Sequence, residues 1–258
     1  MSKLVKIELY VPNALTMCNL FCGFLGLLSC YYGDLILASW LIVIGALFDV
    51  ADGLAAKLLK AHSELGIQLD SLTDVVTFGV LPATIIHILF IHTGTPWLYD
   101  FVIGSVPIYP LLPFVIVMAA VFRLGKYNVM ATNKLSDNSF VGLPTPAMAL
   151  CVACIPLMLN YEPLLIYISP IDIRYYVLNI WILITFSLLI SFLMVSKIIC
   201  LSFKKFGIAQ IAFSTFSLIC FLLISYLAMP IILLAYLIFS YIFRDKTKEV
   251  YINPHQAI

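Results

Sequence analysis

Four aspartates supply the chemistry-bearing pattern in this chain. Asp49 and Asp52 stand three apart in Phe48-Asp49-Val50-Ala51-Asp52-Gly53-Leu54-Ala55-Ala56-Lys57, and Asp70 and Asp74 stand four apart in Gly66-Ile67-Gln68-Leu69-Asp70-Ser71-Leu72-Thr73-Asp74. Spacings of three and four put both members of a pair on one face of a helix. Two such helices, antiparallel and joined by a turn at residues 58 to 67, would bring four carboxylates to similar depth in one pocket. Like charges at that range repel strongly where the dielectric is low, so the cluster requires cations. Carboxylate oxygens select hard divalent ions such as Mg, Mn or Ca. Two of these ions in one oxygen-lined pocket suit displacement at phosphorus, where attacking and leaving oxygens must both be stabilised. Gly53, Ala56 and Gly66 add small residues to the same faces and leave room for a bulky ligand at the backbone, although small residues also serve close helix packing.

The elements that must carry these acids are apolar. Of 258 residues, 63% are hydrophobic and only 10% are charged, against about a quarter charged in soluble domains. That composition excludes an ordinary soluble protein, a disordered chain and a disulfide scaffold. Ionisable residues inside membrane spans are costly and mark function. Runs of about 20 apolar residues, cut where charge, Gly, Pro or Asn interrupts them, fall near 14–32, 35–57, 68–92, 103–122, 144–168, 176–196, 208–227 and 229–243. The expected fold is therefore all-α, a polytopic bundle of about eight transmembrane helices in one domain. Residues 1–13 read as an interfacial segment with Pro12 setting the start of the first span, 14–147 as the catalytic core and 148–258 as additional spans. The first run reads as a retained helix and not as a cleaved signal.

In an eight-span arrangement every Lys and Arg except Arg174 falls on one side. The positive-inside rule makes that side cytoplasmic, with both termini and the acid pocket facing it. A net charge of +1 offers no basic face for nucleic acid. The seven cysteines lie in or beside apolar runs and read as packing residues, Cys151 and Cys154 included. Ser71, Thr73 and Thr77 are expected to bond carbonyls one turn back or ligand oxygens, and His62 to be a solvated turn residue.

The run Asp-x2-Asp-Gly-x2-Ala-basic-x8-Gly-x3-Asp-x3-Asp resembles the signature of the CDP-alcohol phosphotransferases. Lys57 stands where that family has Arg, keeping the charge without the planar fork. Flanking segments are similar to the integral-membrane phosphatidylserine synthase branch: Val11-Pro12-Asn13 through Gly23, Leu69 through Pro82, Arg123-Leu124-Gly125-Lys126-Tyr127-Asn128, and Phe140 through Pro146, with Lys126 again replacing Arg. The resemblance implies transfer of the phosphatidyl group from CDP-diacylglycerol to the hydroxyl of L-serine, in a multi-pass protein of the cell membrane. It also implies divalent ions held by Asp49, Asp52, Asp70 and Asp74, with Asp74 as base. Thr16, Asn19, Asp49, Asp52, Gly53, Ala56, Lys57 and Gly66 would meet the CDP moiety, and Arg123, Lys126 and Asn128 the acceptor or a lipid phosphate. Membrane lipid is the surrounding partner, and a homodimer is one arrangement open to it. Other acceptors, such as glycerol phosphate or inositol phosphate, are the alternatives within the family. A cation transporter, with its acids near the bilayer midplane, is the alternative from another class.

Overall fold

The computed structural model describes residues 3–61, 63–132, 142–160 and 177–196, with Thr215, Ser217, Ile232, Ala235 and Tyr236, and side chains from Tyr10 onward. Helix α1 (Lys3–Tyr31) and helix α2 (Leu35–Leu58) form an antiparallel hairpin. The turn between them contains Gly33 at a φ of 81°, and Asp34 caps α2 by accepting the Leu37 N–H at 2.9 Å. Helix α2 ends with the Ala61 N–H on the Ala56 carbonyl (2.9 Å) and the Lys60 N–H on the Lys57 carbonyl (3.4 Å). This is the two-bond closure that normally uses glycine, here with Lys60 at a φ of 51°. Ser63 then caps helix α3 (Glu64–Val75), its hydroxyl accepting the Gly66 N–H at 3.0 Å.

Helix α3 passes through a single π-helical turn, Val76–Val80, into helix α4 (Leu81–His92), so that Glu64–His92 is one continuous span of 29 residues. Pro82 accounts for the irregular turn. It has no N–H to give to the carbonyl four residues back and its ring crowds that carbonyl. The wider turn, in which the Leu81 N–H reaches the Val76 carbonyl, makes room for the ring without ending the helix. Phe78, Leu81, Ile85, Ile86, Leu89 and Phe90 on this segment are fully or almost fully buried, and they share one core with Ile42, Ile116, Met148 and Leu183.

Two expectations change here. Pro12 lies inside α1 and does not start it, because Lys3–Val11 contains no other helix breaker; the first apolar span runs Tyr10–Tyr31. The fourth span begins at Tyr109, not at 103. A two-stranded hairpin, β1 (Val102–Ile103) and β2 (Val106–Pro107), is followed by a 3₁₀ segment, Tyr109–Phe114, before helix α5 (Val115–Thr132). Pro107, Pro110 and Pro113 remove the donors that an α-helix needs in this stretch. Arg123, Lys126 and Asn128 lie in the last two turns of this span, which ends at Val129, and α5 continues to Thr132.

Helices α6 (Thr145–Asn160) and α7 (Ile180–Val195) are shorter apolar helices. Four of the described helices are long and apolar enough to cross a membrane, namely Tyr10–Tyr31, Leu35–Leu58, Glu64–His92 and Tyr109–Val129. The expected spans 208–227 and 229–243 lie outside the described residues except for Thr215, Ser217, Ile232, Ala235 and Tyr236. At the end of the bundle opposite the acids, Trp97 packs against Tyr109 (centroids 5.4 Å apart) and Trp181 (5.9 Å), as aromatic rings do at a membrane interface.

The hairpin geometry sets a labelling pattern. In a background lacking the native cysteines, Tyr32→Cys and Asp100→Cys should react with an impermeant maleimide from one face of the membrane and Lys60→Cys only from the other. Labelling of all three from the same face would break the antiparallel arrangement.

Candidate active site

The turn at residues 59–63 sets α2 and α3 side by side, so that Asp49 and Asp52, in the C-terminal half of α2, lie level with Asp70 and Asp74, in the C-terminal half of α3. Carboxylate oxygens of Asp49, Asp70 and Asp74 lie within 4.8 Å of one another. Asp74 is buried and the other two are half-buried. Oδ1 of Asp70 and Oδ1 of Asp74 are buried without a hydrogen-bond partner among the described residues. Leaving a buried acceptor unsatisfied costs about 1–3 kcal/mol, and three acidic groups at this range add mutual repulsion. A hard divalent cation removes both penalties, so this donor set fits such an ion. Asp52 stands one turn further along α2, itself buried. Its Oδ2 accepts the Thr16 hydroxyl at 2.6 Å, which ties α1 to the acid pair of α2.

One turn deeper, Asn19 is fully buried. Neither its Oδ1 nor its Nδ2 has a hydrogen-bond partner among the described residues. Its backbone carbonyl accepts the Thr77 hydroxyl at 3.1 Å, a contact across α1 and the π turn that the sequence did not indicate. The glycines divide into two kinds. A Cβ on Gly53 would meet nothing within 4 Å, whereas one on Gly45 would lie 2.7 Å from Thr77 Cγ2 and 2.9 Å from Asn19 Oδ1. Gly66 is intermediate, with Ser63 Oγ at 3.0 Å and Asn13 Oδ1 at 3.1 Å from such an atom. Gly53 therefore leaves open space and Gly45 closes a packing contact. Lys57 is exposed at the last turn of α2, and Ala56 is half-buried beside it.

Helix α5 faces the acids from the other side. Arg123 is close enough to Asp74 to act on its charge, and its Nη1 donates to the Thr145 hydroxyl at 3.0 Å. Asn128 Nδ2 donates to the Ser71 hydroxyl at 2.9 Å, joining α5 to α3, while Ser71 also lies 3.1 Å from the Ile67 carbonyl one turn back. Lys126 is half-buried on the same helix. Thr145 was not singled out by the sequence. Its only signal was its place after Gly142-Leu143-Pro144.

Fold and site together define a helical membrane protein with an acidic pocket whose donor set fits a divalent cation and a basic residue facing it. The family model described as CDP-alcohol phosphatidyltransferase matches residues 9–189, and the chain belongs to that family. It is similar to CDP-diacylglycerol–serine O-phosphatidyltransferase of Bacillus subtilis, with 30% identity over 76% of this chain and 92% of the relative. The protein of the same name from Helicobacter pylori is 36% identical over 58% of this chain and 59% of its own length. Archaetidylserine synthase of Methanothermobacter thermautotrophicus is 32% identical over 55% and 56% respectively. The chain thus spans most of the first relative and less than three fifths of the other two.

The two kinds of glycine separate ligand space from packing. Gly53→Ala should stabilise α2 by about 0.5–1 kcal/mol through helix propensity. Gly45→Ala should cost about 1–3 kcal/mol, because Thr77 is stiff at χ1 and has nowhere to move. Thermal unfolding in detergent reads both, and a lower melting temperature for Gly53→Ala would show that its open side is filled in the folded protein.

Proposed function

We propose that this enzyme transfers the phosphatidyl group of CDP-diacylglycerol to the hydroxyl of L-serine, releasing CMP. The observation that carries this reading is the convergence of Asp49, Asp70 and Asp74 in a chain of this family. The serine acceptor is supported by the names of the relatives in Bacillus, Helicobacter and Methanothermobacter, each of which makes a serine-headed lipid.

Asp49, Asp52, Asp70 and Asp74 would hold divalent ions, which supply charge neutralisation for the diphosphate and for the departing phosphate oxygen. Asp74, the most enclosed acid of the trio, accepts the proton of the serine hydroxyl as that oxygen bonds to the phosphatidyl phosphorus. The bond from phosphorus to the CMP oxygen breaks in the same displacement, and the electron pair leaves with CMP. Thr16, Asn19, Gly53, Ala56, Lys57 and Gly66 border the space for the CDP moiety, with Gly53 open to it and Lys57 neutralising a phosphate oxygen. Arg123, with Lys126 and Asn128 on the same helix, receives the acceptor's carboxylate. The acids lie in the half of the α2 and Glu64–His92 spans nearer the 59–63 turn, so acyl chains would remain along the helices' lipid-facing sides while CMP leaves toward that turn. The Lys and Arg distribution supports a cytoplasmic location for this end, within an eight-span topology with both termini on that side.

Purified protein incubated with CDP-diacylglycerol and a panel of serine, glycerol phosphate and inositol phosphate should release CMP with serine and form phosphatidylserine. Release with another alcohol instead would replace the acceptor. Asp49→Asn, Asp70→Asn and Asp74→Asn should each reduce turnover at least about a hundredfold while the protein still inserts and folds. Near-normal turnover in any one of them would remove that residue from the site.

A further inference from the structure

Residues 142–145 form a short strap that crosses from the end of α7 to the start of α6. The Leu143 N–H donates to the Leu193 carbonyl at 3.1 Å. Gly142 adopts a φ of 84° and its α-carbon faces the Met194 carbonyl so closely that a Cβ would collide with it. No residue other than glycine satisfies both conditions. The Pro144 carbonyl then accepts the Met148 N–H at 3.1 Å, starting α6. Thr145 emerges from this strap with no exposed surface, and its hydroxyl receives Arg123 Nη1 at 3.0 Å. The backbone that fixes Thr145 is thus anchored on α7, and Thr145 in turn bonds a guanidinium close enough to Asp74 to act on its charge.

We infer that Thr145 is a positioning residue for the acceptor substrate: by holding one edge of the Arg123 guanidinium, it sets the orientation in which Arg123 meets the acceptor's carboxylate. The inference rests on the serine reading above. In serine the hydroxyl oxygen and the carboxylate are attached to adjacent carbons, so a cation beside the base that takes the hydroxyl proton is placed to meet that carboxylate. An arginine side chain has several rotatable bonds, and an unheld one samples many orientations. Its planar fork rewards a single geometry toward a carboxylate. The Thr145 hydroxyl bonds Nη1 and so favours one of these orientations, and the Gly142 strap keeps Thr145 in place.

Steady-state kinetics with each substrate varied in turn tests this on wild type, Thr145→Val, Thr145→Ser, Arg123→Ala and the Arg123→Ala/Thr145→Val double variant. Thr145→Val should raise the KM for serine about tenfold and leave that for CDP-diacylglycerol within about twofold, while Thr145→Ser restores the serine KM. In the Arg123→Ala background, Thr145→Val should change the serine KM by no more than about twofold, because it acts through the residue already removed. Equal rises in both KM values, no rise, failure of serine to rescue, or additive effects in the double variant would each overturn the inference. Thr145→Ala gives the same comparison if the valine variant does not purify folded. If wild type uses a different alcohol, the serine reading falls, and the positioning role is read on that alcohol's KM.

Discussion

Mutual repulsion among carboxylates held inside apolar helices is the constraint around which this protein is organised. Asp49, Asp70 and Asp74 bring oxygens within 4.8 Å of one another, and two of those oxygens are buried without a hydrogen bond among the described residues. Among the described residues Arg123 offsets part of that charge from α5, whereas Phe78, Leu81 and their neighbours in the core offer only apolar contact. The helices must therefore be held together by packing elsewhere, strongly enough to keep the acids apart from bulk water and close to each other. A bundle that met this demand only when a cation was present would lose its site whenever the ion left. A bundle rigid without it presents a preorganised set of hard ligands.

Close helix approach supplies that rigidity. Gly23 and Gly26 on α1 face Thr77 and Leu81, and Gly45 on α2 faces Thr77 and Asn19, so these side chains seat directly against the glycine backbone where three helices meet. In a lipid environment such contacts gain dispersion energy that larger residues would prevent. The π turn contributes directly. By accommodating Pro82 it lets the helix continue while turning Thr77 toward the Asn19 carbonyl. The approach of the acids of α2 to those of α3 is thereby supported one turn below the site, by the glycines and the Thr77–Asn19 contact.

These two layers differ in how far they can be read from sequence. The aspartate pairs were legible because intrahelical spacing is a local property, and the short 59–63 turn leaves the two helices little choice but to lie antiparallel. The apolar lengths of the first three spans were legible for the same reason. Contacts such as Arg123 with Thr145, or Ser71 with Asn128, join residues 22 and 57 positions apart and depend on which helices become neighbours, which periodicity does not encode. Prolines misled in both directions. Pro12 looked like a boundary but costs α1 only one hydrogen bond, whereas Pro107, Pro110 and Pro113 are close enough together to delay α5 to Val115. A single proline is a local perturbation that packing can absorb; three within seven residues are not.

The pocket that results has two walls of opposite sign on different helices. The acids belong to α2 and α3, whereas Arg123 and Lys126 belong to α5. A guanidinium free to swing would be drawn onto the nearest carboxylate. Two side-chain bridges oppose that collapse. Asn128 with Ser71 fixes how closely α5 approaches α3, and Thr145 holds Arg123 from the side of α6. In the transfer proposed above, the acid wall would retain ions against the diphosphate and the guanidinium would meet the carboxylate of zwitterionic serine. Because Thr145 is anchored through Gly142 and Leu143 on α7, the separation of these walls is maintained by a helix that contributes no charged group to the pocket.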